Sequence, residues 1–394
     1  MAARGLTRDM LRVRLAGVVF AVLFAQVLLY PGIDLLVSAY GAAGGLRPGM
    51  WFLGAEFAGF VAFAAIWGAA SDAVGRRRPF IVAGALGGAL GYALLAVALE
   101  AAVPFAAVVA LRFLQGAATI GAFSLAIAAL MDLGGGHGRN MGAAGFAIGA
   151  GTSLGAPVGG QLYELGVSTP LWVAAALLGV VAALTVRGTE RAPPPNRGSV
   201  AAIVADLGGR PLLGLPYTFG FIDRLSAGFI ALAGTLYFRS AFELGPGATG
   251  VMLALFFAPF ALLQYPMGIV SDRVGRTAPI VGGSLLYGVG VIAVGSAPDP
   301  WVAGAAMVAV GVVGAVMAPA TMALVTDLAG ADERGTAMAG FNVVGSLGFL
   351  AGIVIAGTVA EAYGYQAAFL LTGGVEIVVA VAAVPVFLRV RDRV

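Results

Sequence analysis

The sequence predicts an all-α polytopic membrane protein, with twelve transmembrane helices in two pseudo-symmetric six-helix halves. Its 394 residues are 60% hydrophobic and only 10% charged, whereas an ordinary globular domain carries about 25% charged residues. The apolar runs are roughly 20 residues long, enough to cross a hydrocarbon core about 30 Å thick. Strands of a transmembrane β-barrel would be about ten residues of alternating polarity, so that class is excluded.

Polar residues divide the chain into twelve apolar segments. We expect the first half to cover 1–190 and the second 211–394, joined by a cytoplasmic linker over 191–210 that contains Pro193-Pro194-Pro195 and is typical of an extended connection. In order, the segments are 13–40, 49–70, 79–99, 102–131, 141–163, 168–186, 211–238, 248–270, 279–297, 300–326, 337–360 and 366–388.

Basic residues indicate the topology. All 22 are Arg, and eighteen fall at the two termini or in the loops after even-numbered segments. The positive-inside rule therefore predicts cytoplasmic termini in an inner (plasma) membrane. The first apolar run is too long for a signal peptide, so we expect an uncleaved helix. The net charge of +3 is a topology signal and implies no nucleic-acid partner.

Two nearly identical stretches follow segments 2 and 8, and they indicate internal duplication. Each has Gly, four positions on Asp, three positions on Gly, and then Arg. A charged turn between helices can form ion pairs in one conformation and lose them in another, which predicts a cytoplasmic gate. The predicted gate residues are Gly68, Asp72, Gly75, Arg76, Arg77, Asp132 and Arg139 in the first half, and Gly268, Asp272, Gly275, Arg276, Asp327 and Arg334 in the second.

Several ionisable residues lie inside apolar segments, where they are functional candidates because burying charge in a bilayer is costly. Arg112 lies about ten residues into segment 4, and the matching place in segment 10 is Met307. It can serve coupling or anion binding, or form a structural ion pair. The candidates for proton coupling are Asp34, Glu56, Arg112, Asp223 and Arg224, although Asp34 can instead meet interfacial water. Glu376 stays an unexplained buried acid.

Segment 5 is rich in glycine and contains a proline, which predicts a kinked helix that a neighbour can approach closely. The residues concerned are Gly142, Gly151, Gly155, Pro157, Gly159 and Gly160. A simple packing face is the alternative, since segment 11 is also rich in glycine. The stretch around Ser153 fits a nucleophile elbow, but the single His137 is predicted on a loop. We expect neither an enzyme nor a metal site.

These motifs resemble those of the major facilitator superfamily over essentially the whole chain, and in particular the twelve-helix drug:proton antiporter type. The Gly68 and Gly268 stretches resemble its motif A, with Ala70 and Ala73 as departures. Arg112 to Gly116 resembles motif B of proton-coupled members. Segment 5 resembles motif C of antiporters, except that Ala156 stands where Pro is preferred.

The resemblance implies the major facilitator fold, a midplane cavity lined by the first and fourth helices of each half, and a latch between Asp72 and Arg76 that Asp132 and Arg139 extend. Glu376, on segment 12, would lie away from that cavity. Weaker candidates for contact with the substrate are Gln26, Tyr30, Gln115, Tyr217 and Gln264.

The expected function is secondary active transport, in which protons are exchanged for a small, largely apolar organic compound or drug that is exported by alternating access. Import of a sugar, organic acid or other metabolite by symport or uniport is the alternative. We expect no cofactor besides the coupling proton, contacts with membrane lipid, and a monomer. Since Glu56, Arg112 and segment 5 all lie in the first half, coupling is expected to be concentrated there.

Overall fold

The computed structural model describes residues 2–43, 45–101, 103–133, 137–186, 211–329 and 334–391, and within them it is helical with short connections. The helices of the first half are α1 (Ala2–Val27), α2 (Ile33–Ala39), α3 (Leu46–Val74), α4 (Arg78–Ala98), α5 (Phe105–Asp132), α6 (His137–Leu165) and α7 (Thr169–Thr185). Those of the second half are α8 (Gly214–Phe229), α9 (Thr235–Ala241), α10 (Pro246–Val274), α11 (Thr277–Gly295), α12 (Pro300–Leu328) and α13 (Arg334–Arg391).

The helices confirm the predicted fold class. Nine stretches of the described chain are long and apolar enough to cross a membrane. One of them, 337–387, lies in α13 and is two helices joined at Gly364, whose φ of 84° and ψ of 165° are not helical. Besides these nine, α6 is also 29 residues long, and α7 is apolar but shorter. Each of the twelve predicted segments thus corresponds to helix in the described residues.

Two transmembrane segments are interrupted at matching places in the two halves. A 3₁₀ turn at Tyr30–Gly32 separates α1 from α2, and a five-residue π turn at Ile230–Gly234 separates α8 from α9. At the first break the ring of Tyr163 lies over Gly32, where an added Cβ would come within 2.6 Å of it. Short π segments are frequent at functional sites, so the break in segment 7 draws attention to the residues of α8 just before it.

The chain divides into two compact units. Unit 1 comprises Met1–Arg197 with Gly245–Ala254, and unit 2 comprises Gly198–Leu244 with Leu255–Val394. The start of α10 therefore belongs to unit 1, where the backbone amide of Gly247 donates to Glu164 Oε1 at 3.4 Å. The predicted linker, 191–210, lies outside the described residues, and the predicted halves stay a prediction.

Candidate functional site

Unit 1 contains a fully buried ion pair between neighbouring helices. Arg112 of α5 and Glu56 of α3 both have no exposed side-chain surface, and Nη2 of the guanidinium lies 2.5 Å from Glu56 Oε2. Nη1 donates to Gln115 Oε1 at 2.7 Å. A charge buried this deeply requires a partner, because its loss of hydration is worth several kcal/mol. The two candidates that the sequence located separately thus compensate each other.

Aromatic and polar side chains surround this pair. The guanidinium carbon of Arg112 lies 4.9 Å from the ring centre of Phe52 and 5.2 Å from that of Tyr92, which are cation–π distances. Tyr30 is buried and within electrostatic range of both charged groups. Gln26 of α1 lies beside the Glu56 carboxyl. We call Gln26, Tyr30, Phe52, Glu56, Tyr92, Arg112, Gln115 and Thr119 the unit 1 cluster.

Two glycine residues let the helices that carry the ion pair approach each other closely. A Cβ on Gly116 would come within 2.8 Å of the Glu56 Cα, and one on Gly59 within 2.7 Å of the Ala117 amide nitrogen. At these points α3 and α5 pack backbone against backbone, as small residues allow in membrane helices. The Arg, two residues, Gln and Gly of the sequence motif therefore have distinct tasks here: Arg112 pairs, Gln115 orients it, and Gly116 permits the close approach.

Unit 2 contains a second buried cluster, and it is acidic. Glu376 of α13 is only 1% exposed, and its Oε2 accepts a hydrogen bond of 3.1 Å from Ser226 Oγ of α8. Asp223, one turn before Ser226, interacts directly with the Glu376 carboxyl. Ser284 and Tyr287 of α11 complete the surroundings. We call Asp223, Ser226, Ser284, Tyr287 and Glu376 the unit 2 cluster.

Arg224 follows Asp223 in the chain but points elsewhere. Successive residues of a helix are about 100° apart, and the Arg224 side chain is exposed, packing beside Gly345 of α13. It still interacts electrostatically with Asp223. Glu376, the acid that the sequence left unexplained, lies next to Asp223; that it lies away from a midplane cavity stays a prediction.

The charged turns of the two halves form similar ion pairs through different members of the motif. In the second half, Arg276 Nη1 lies 2.6 Å from Asp272 Oδ1 and Nε lies 2.9 Å from Asp327 Oδ2. In the first half the corresponding Arg76 is exposed. Arg77 pairs instead, with Nε 2.8 Å from Asp132 Oδ2 and Nη2 3.8 Å from Asp72 Oδ1.

The ion pairs of the first-half turn therefore join Asp72, Arg77 and Asp132, whereas the sequence paired Asp72 with Arg76; that these residues act as a latch stays a prediction. The physical reason is where the next helix begins: Arg77 immediately precedes α4, and Arg276 immediately precedes α11. Gly75 and Gly275 make both turns possible, with φ of 68° and 84°, a region that favours glycine. Gly68 and Gly268 have room for a side-chain carbon, so sterics do not explain them.

The remaining predicted gate residues lie nearby with other partners. Arg139 does not extend the latch through Asp132; its Nη2 lies 3.5 Å from Asp9 Oδ1. Asp9 also pairs with Arg12 at 2.5 Å, and Arg12 donates to Asn140 Oδ1 at 2.7 Å. These contacts tie α1 to the start of α6. Arg334 begins α13, and its side chain lies outside the described residues.

The hydrogen bonds of Arg276 favour its charged form. Partial burial acts to lower the pKa of its guanidinium, but the hydrogen bonds to Asp327 and Asp272 outweigh burial and raise that pKa. Arg276 therefore stays charged, and the second-half turn can lose its ion pairs through movement of the helix ends or through added salt.

The glycines of α6 form a packing face against α1. An added Cβ would meet the Phe20 carbonyl at 2.8 Å from Gly151 and the Phe24 carbonyl at 3.0 Å from Gly155. Gly159 faces Leu28, Gly160 faces the start of α10, and Pro157 lies inside the helix. Gly142 has open space around it. In α13, Gly348 and Gly352 pack on α8 in the same way.

Three predicted site residues lie outside both clusters: the weaker candidates Tyr217 and Gln264, and the proton-coupling candidate Asp34. Tyr217 donates to the Ala337 carbonyl at 2.6 Å and lines a shallow cavity of about 290 Å³ with Gly214, Thr218, Phe221 and Val344. Gln264 is half-buried in α10, and Asp34 is half-buried in the first turn of α2. Ser153, the false nucleophile, has a buried hydroxyl on α6, while the side chain of His137 lies outside the described residues.

Two matches to one family model decide the classification. The model described as Major Facilitator Superfamily matches residues 15–219 and again residues 217–394. The chain belongs to the major facilitator superfamily. Because the model matches twice along the chain, it also supports the duplication seen at Gly68 and Gly268. Members of this superfamily are transporters of small molecules rather than enzymes, so the chain is a multi-pass membrane transporter.

Curated relatives match part of the chain. An uncharacterised MFS-type transporter, MJ1560, of Methanocaldococcus jannaschii is 30% identical over 167 residues, which cover 41% of this chain and 42% of the relative. The inner membrane transport protein YajR of Escherichia coli is 30% identical over 122 residues, covering 30% of this chain and 26% of that protein. The alignments thus span less than half the length of either relative.

Solved structures share the fold at low identity. A D-xylose-proton symporter has a TM-score of 0.77 at 15% identity, with 95% of this chain and 96% of that chain covered. A bacterial homologue of the lysosomal transporter Spinster has 0.78 at 13% identity, covering 98% and 97%. The nucleoside transporter NupG has 0.77 at 15% identity, covering 96% and 99%. At such identities these proteins show the major facilitator fold alone.

Within this major facilitator transporter, the sequence located most of the unit 1 cluster but missed three members. Tyr92, Phe52 and Thr119 carry no motif, and each reads as an ordinary residue of an apolar helix. In unit 2, Asp223 was found but its connection to Glu376 was not. The two acids are 153 positions apart, and only the packing of α8 against α13 brings them together.

Proposed function

We propose that this transporter is a proton-coupled antiporter that exports a small, largely apolar organic compound or drug by alternating access. The observation that carries the proposal is the Glu56–Arg112 pair, buried completely in unit 1. A buried ion pair is weak support for stability, because packed apolar residues of similar volume would often serve as well. Its presence is better explained by a cycle in which the pair forms and separates.

Such an ion pair can link the binding of a proton to a change of conformation. While Arg112 contacts Glu56, the carboxylate keeps its charge; once the two separate, a proton becomes its most available partner. Protonation then favours one facing state and the substrate favours the other, which exchanges one for the other. The surrounding rings of Phe52 and Tyr92 suit a cation–π contact with Arg112 but offer nothing to the carboxyl except the tyrosine hydroxyl.

The charged turns are proposed as cytoplasmic gates that hold one state of this cycle. Arg77 and Arg276 each bridge the carboxylates at the ends of two helices. A bridge between helix ends is lost when those ends move apart. Export, as opposed to import, rests on the resemblance of α6 to the antiporter motif, and its glycine face has a packing role in any case.

Import is the second candidate. Two solved neighbours are a D-xylose-proton symporter and a nucleoside transporter, and a chain of this fold could carry a polar metabolite inward with or without protons. The polar members of the unit 1 cluster would suit such a substrate.

We further propose an inner-membrane location with both termini cytoplasmic, following the distribution of Arg and the similarity to the inner membrane transport protein YajR of Escherichia coli. The proposed partners are a small-molecule substrate, protons and lipid. A monomer without an organic or metal cofactor is sufficient for this cycle.

The direction of coupled movement tests the proposal. Purified protein in proteoliposomes is given an imposed pH gradient, and a panel of apolar fluorescent dyes is followed together with radiolabelled D-xylose and uridine. Antiport predicts dye movement against the proton flow, with proton movement that depends on the dye. Movement of any compound together with protons would overturn export in favour of symport. Arg112→Met should abolish the dye-dependent proton movement, and Arg76→Gln, which removes an exposed charge outside the ion pairs described above, is its matched control.

A further inference from the structure

We propose that Asp223 and Glu376 of unit 2 form a proton-binding site, in which the two carboxyl groups share one proton. This site is separate from the Glu56–Arg112 pair. Its use in coupling rests on the proposed antiport, but proton binding itself does not.

Three helices bring the site together. Asp223 and Ser226 lie one turn apart on α8, Glu376 lies on α13 beyond the bend at Gly364, and Ser284 and Tyr287 lie on α11. A Cβ on Gly288 would come within 3.2 Å of the Glu376 Cβ. The absence of a side chain there lets α11 and α13 approach closely enough to bury the acid.

The cluster lacks the cation that its counterpart in unit 1 has. Within the described residues, the polar groups acting on Glu376 are Ser226, Ser284 and Asp223, and none of them is basic. Arg224 acts on Asp223 but is exposed and points toward Gly345. Two carboxylates in contact at such burial would repel each other, so a positive charge is required between them. A proton shared by the two carboxyl groups is the smallest cation that could supply this charge.

Unsatisfied oxygen atoms point to the same conclusion. Glu376 Oε1 and Asp223 Oδ1 are buried, and in the described part of the chain neither has a hydrogen-bond donor. One proton on either carboxyl would create an O–H···O hydrogen bond to the other, and one oxygen of each acid would then have a partner. The hydroxyl of Thr372, one turn before Glu376, is also buried without a partner and can accept or donate at the edge of the site.

The reaction is a simple proton exchange. With one proton the two acids carry a charge of −1, which Arg224 balances in part; release of the proton leaves −2, with no bond broken except O–H. Asp223 is half-buried whereas Glu376 is 1% exposed, so the proton enters and leaves through Asp223. The ionisable groups facing the pair are Arg224 from α8 and Tyr287 from α11, and the acid of α12, Asp327, pairs with Arg276 at the helix end.

Infrared difference spectroscopy tests the site without any substrate. The full-length protein in lipid is taken through a pH jump, and the C=O stretching band of a protonated carboxyl is followed. We expect one band that disappears on deprotonation, and that is lost in both Asp223→Asn and Glu376→Gln. Glu56→Gln is the matched control and should keep it. Persistence of the band in both unit 2 variants would overturn the proposal.

Two further measurements keep the test decisive. If a variant does not fold, ¹³C labelling of the Asp carboxyls and, separately, of the Glu carboxyls in the parent protein assigns the band. A proton shared between an Asp and a Glu should make the spectrum respond to both labels; a band that responds to only one label would overturn the proposal. The second measurement compares the melting temperature in sodium and in choline at fixed pH. If Na⁺ raises the melting temperature and Glu376→Gln abolishes that rise, the site binds a metal cation and the proposal is overturned. A proton band without dye transport would reject antiport while leaving this site in place.

Discussion

The two buried clusters solve the same electrostatic problem in opposite ways. In unit 1 an acid is neutralised by a permanent cation, Arg112, within 2.5 Å of Glu56. In unit 2 two acids meet beside hydroxyl groups, and the exposed Arg224 acts on Asp223 but not on Glu376. The first arrangement needs no ion from solution, whereas the second is incomplete without one. Sequence reasoning favoured the first half as the place of coupling, because an intramembrane Arg is conspicuous; the proposed proton site adds the second half as a candidate.

The difference also separates two kinds of pH response. A pair of opposite charges changes state when the helices move, since Glu56 becomes available only after Arg112 leaves. A pair of acids changes state when the proton concentration changes, with movement as the consequence. In the proposed cycle, unit 2 would bind the proton and the ion pair of unit 1 would respond to helix movement.

Removal of the buried cation gives the largest expected effect on stability. Arg112→Met leaves the Glu56 charge buried without its partner and should lower the free energy of unfolding by about 3–5 kcal/mol. Glu376→Gln removes no cation and should cost at most about one neutral hydrogen bond, 0.5–1.5 kcal/mol. Denaturant titration of the purified protein in one detergent measures both values.

The double variant Glu56→Gln with Arg112→Met is the control for this contrast. It removes both charges together, so it should recover more than half of the loss caused by Arg112→Met alone. If Glu376→Gln proves as costly as Arg112→Met, the acid of unit 2 has a cationic partner and the comparison between the clusters fails.

Much of the fold could be predicted because twelve apolar runs and the repeated motif are local signals. The Glu56–Arg112 pair could be predicted only in part. Each residue stood out as a charge inside an apolar segment, but nothing in the sequence links two positions that are 56 residues apart. Contacts between distant helices escaped prediction for the same reason, as with Asp223 and Glu376. The sequence included Arg77 among the gate residues but paired Arg76 with Asp72. The start of α4 decides which Arg reaches Asp72 and Asp132, and helix boundaries read from a pattern shift by a residue or more.

Helix packing in the first half can be tested with two glycines of the same helix. Gly151→Ala places a Cβ 2.8 Å from the Phe20 carbonyl, and it should cost about 1–3 kcal/mol by overpacking. Gly142→Ala meets nothing within 4 Å, and it should be neutral or stabilise by up to about 1 kcal/mol through helix propensity. Thermal unfolding of the two variants side by side gives the difference.

A glycine of the second half allows the same test where the neighbouring atoms can move. At Gly345 of α13 an added Cβ meets the Arg224 side chain at 3.2 Å, and a flexible side chain can move where a backbone carbonyl cannot. Gly345→Ala should therefore fall between the two α6 variants. Equal losses at Gly151 and Gly142 would mean that the α1–α6 contact is looser than the structure has it.

The gate turns should give the smallest effect and the sharpest comparison between the halves. Arg77→Gln and Arg276→Gln each remove partly exposed ion pairs, worth about 0.2–1 kcal/mol, which shifts a two-state population by roughly 1.4- to fivefold. Arg76→Gln is the control and should not shift the population.

Spin labels can measure this shift. The chain has no Cys, so labels on Val74→Cys and Val274→Cys, both more than half exposed, report the distribution of distances between these two positions without background. Added salt should mimic both active substitutions by screening. A shift with Arg76→Gln equal to that with Arg77→Gln would restore the latch that the motif alone suggested.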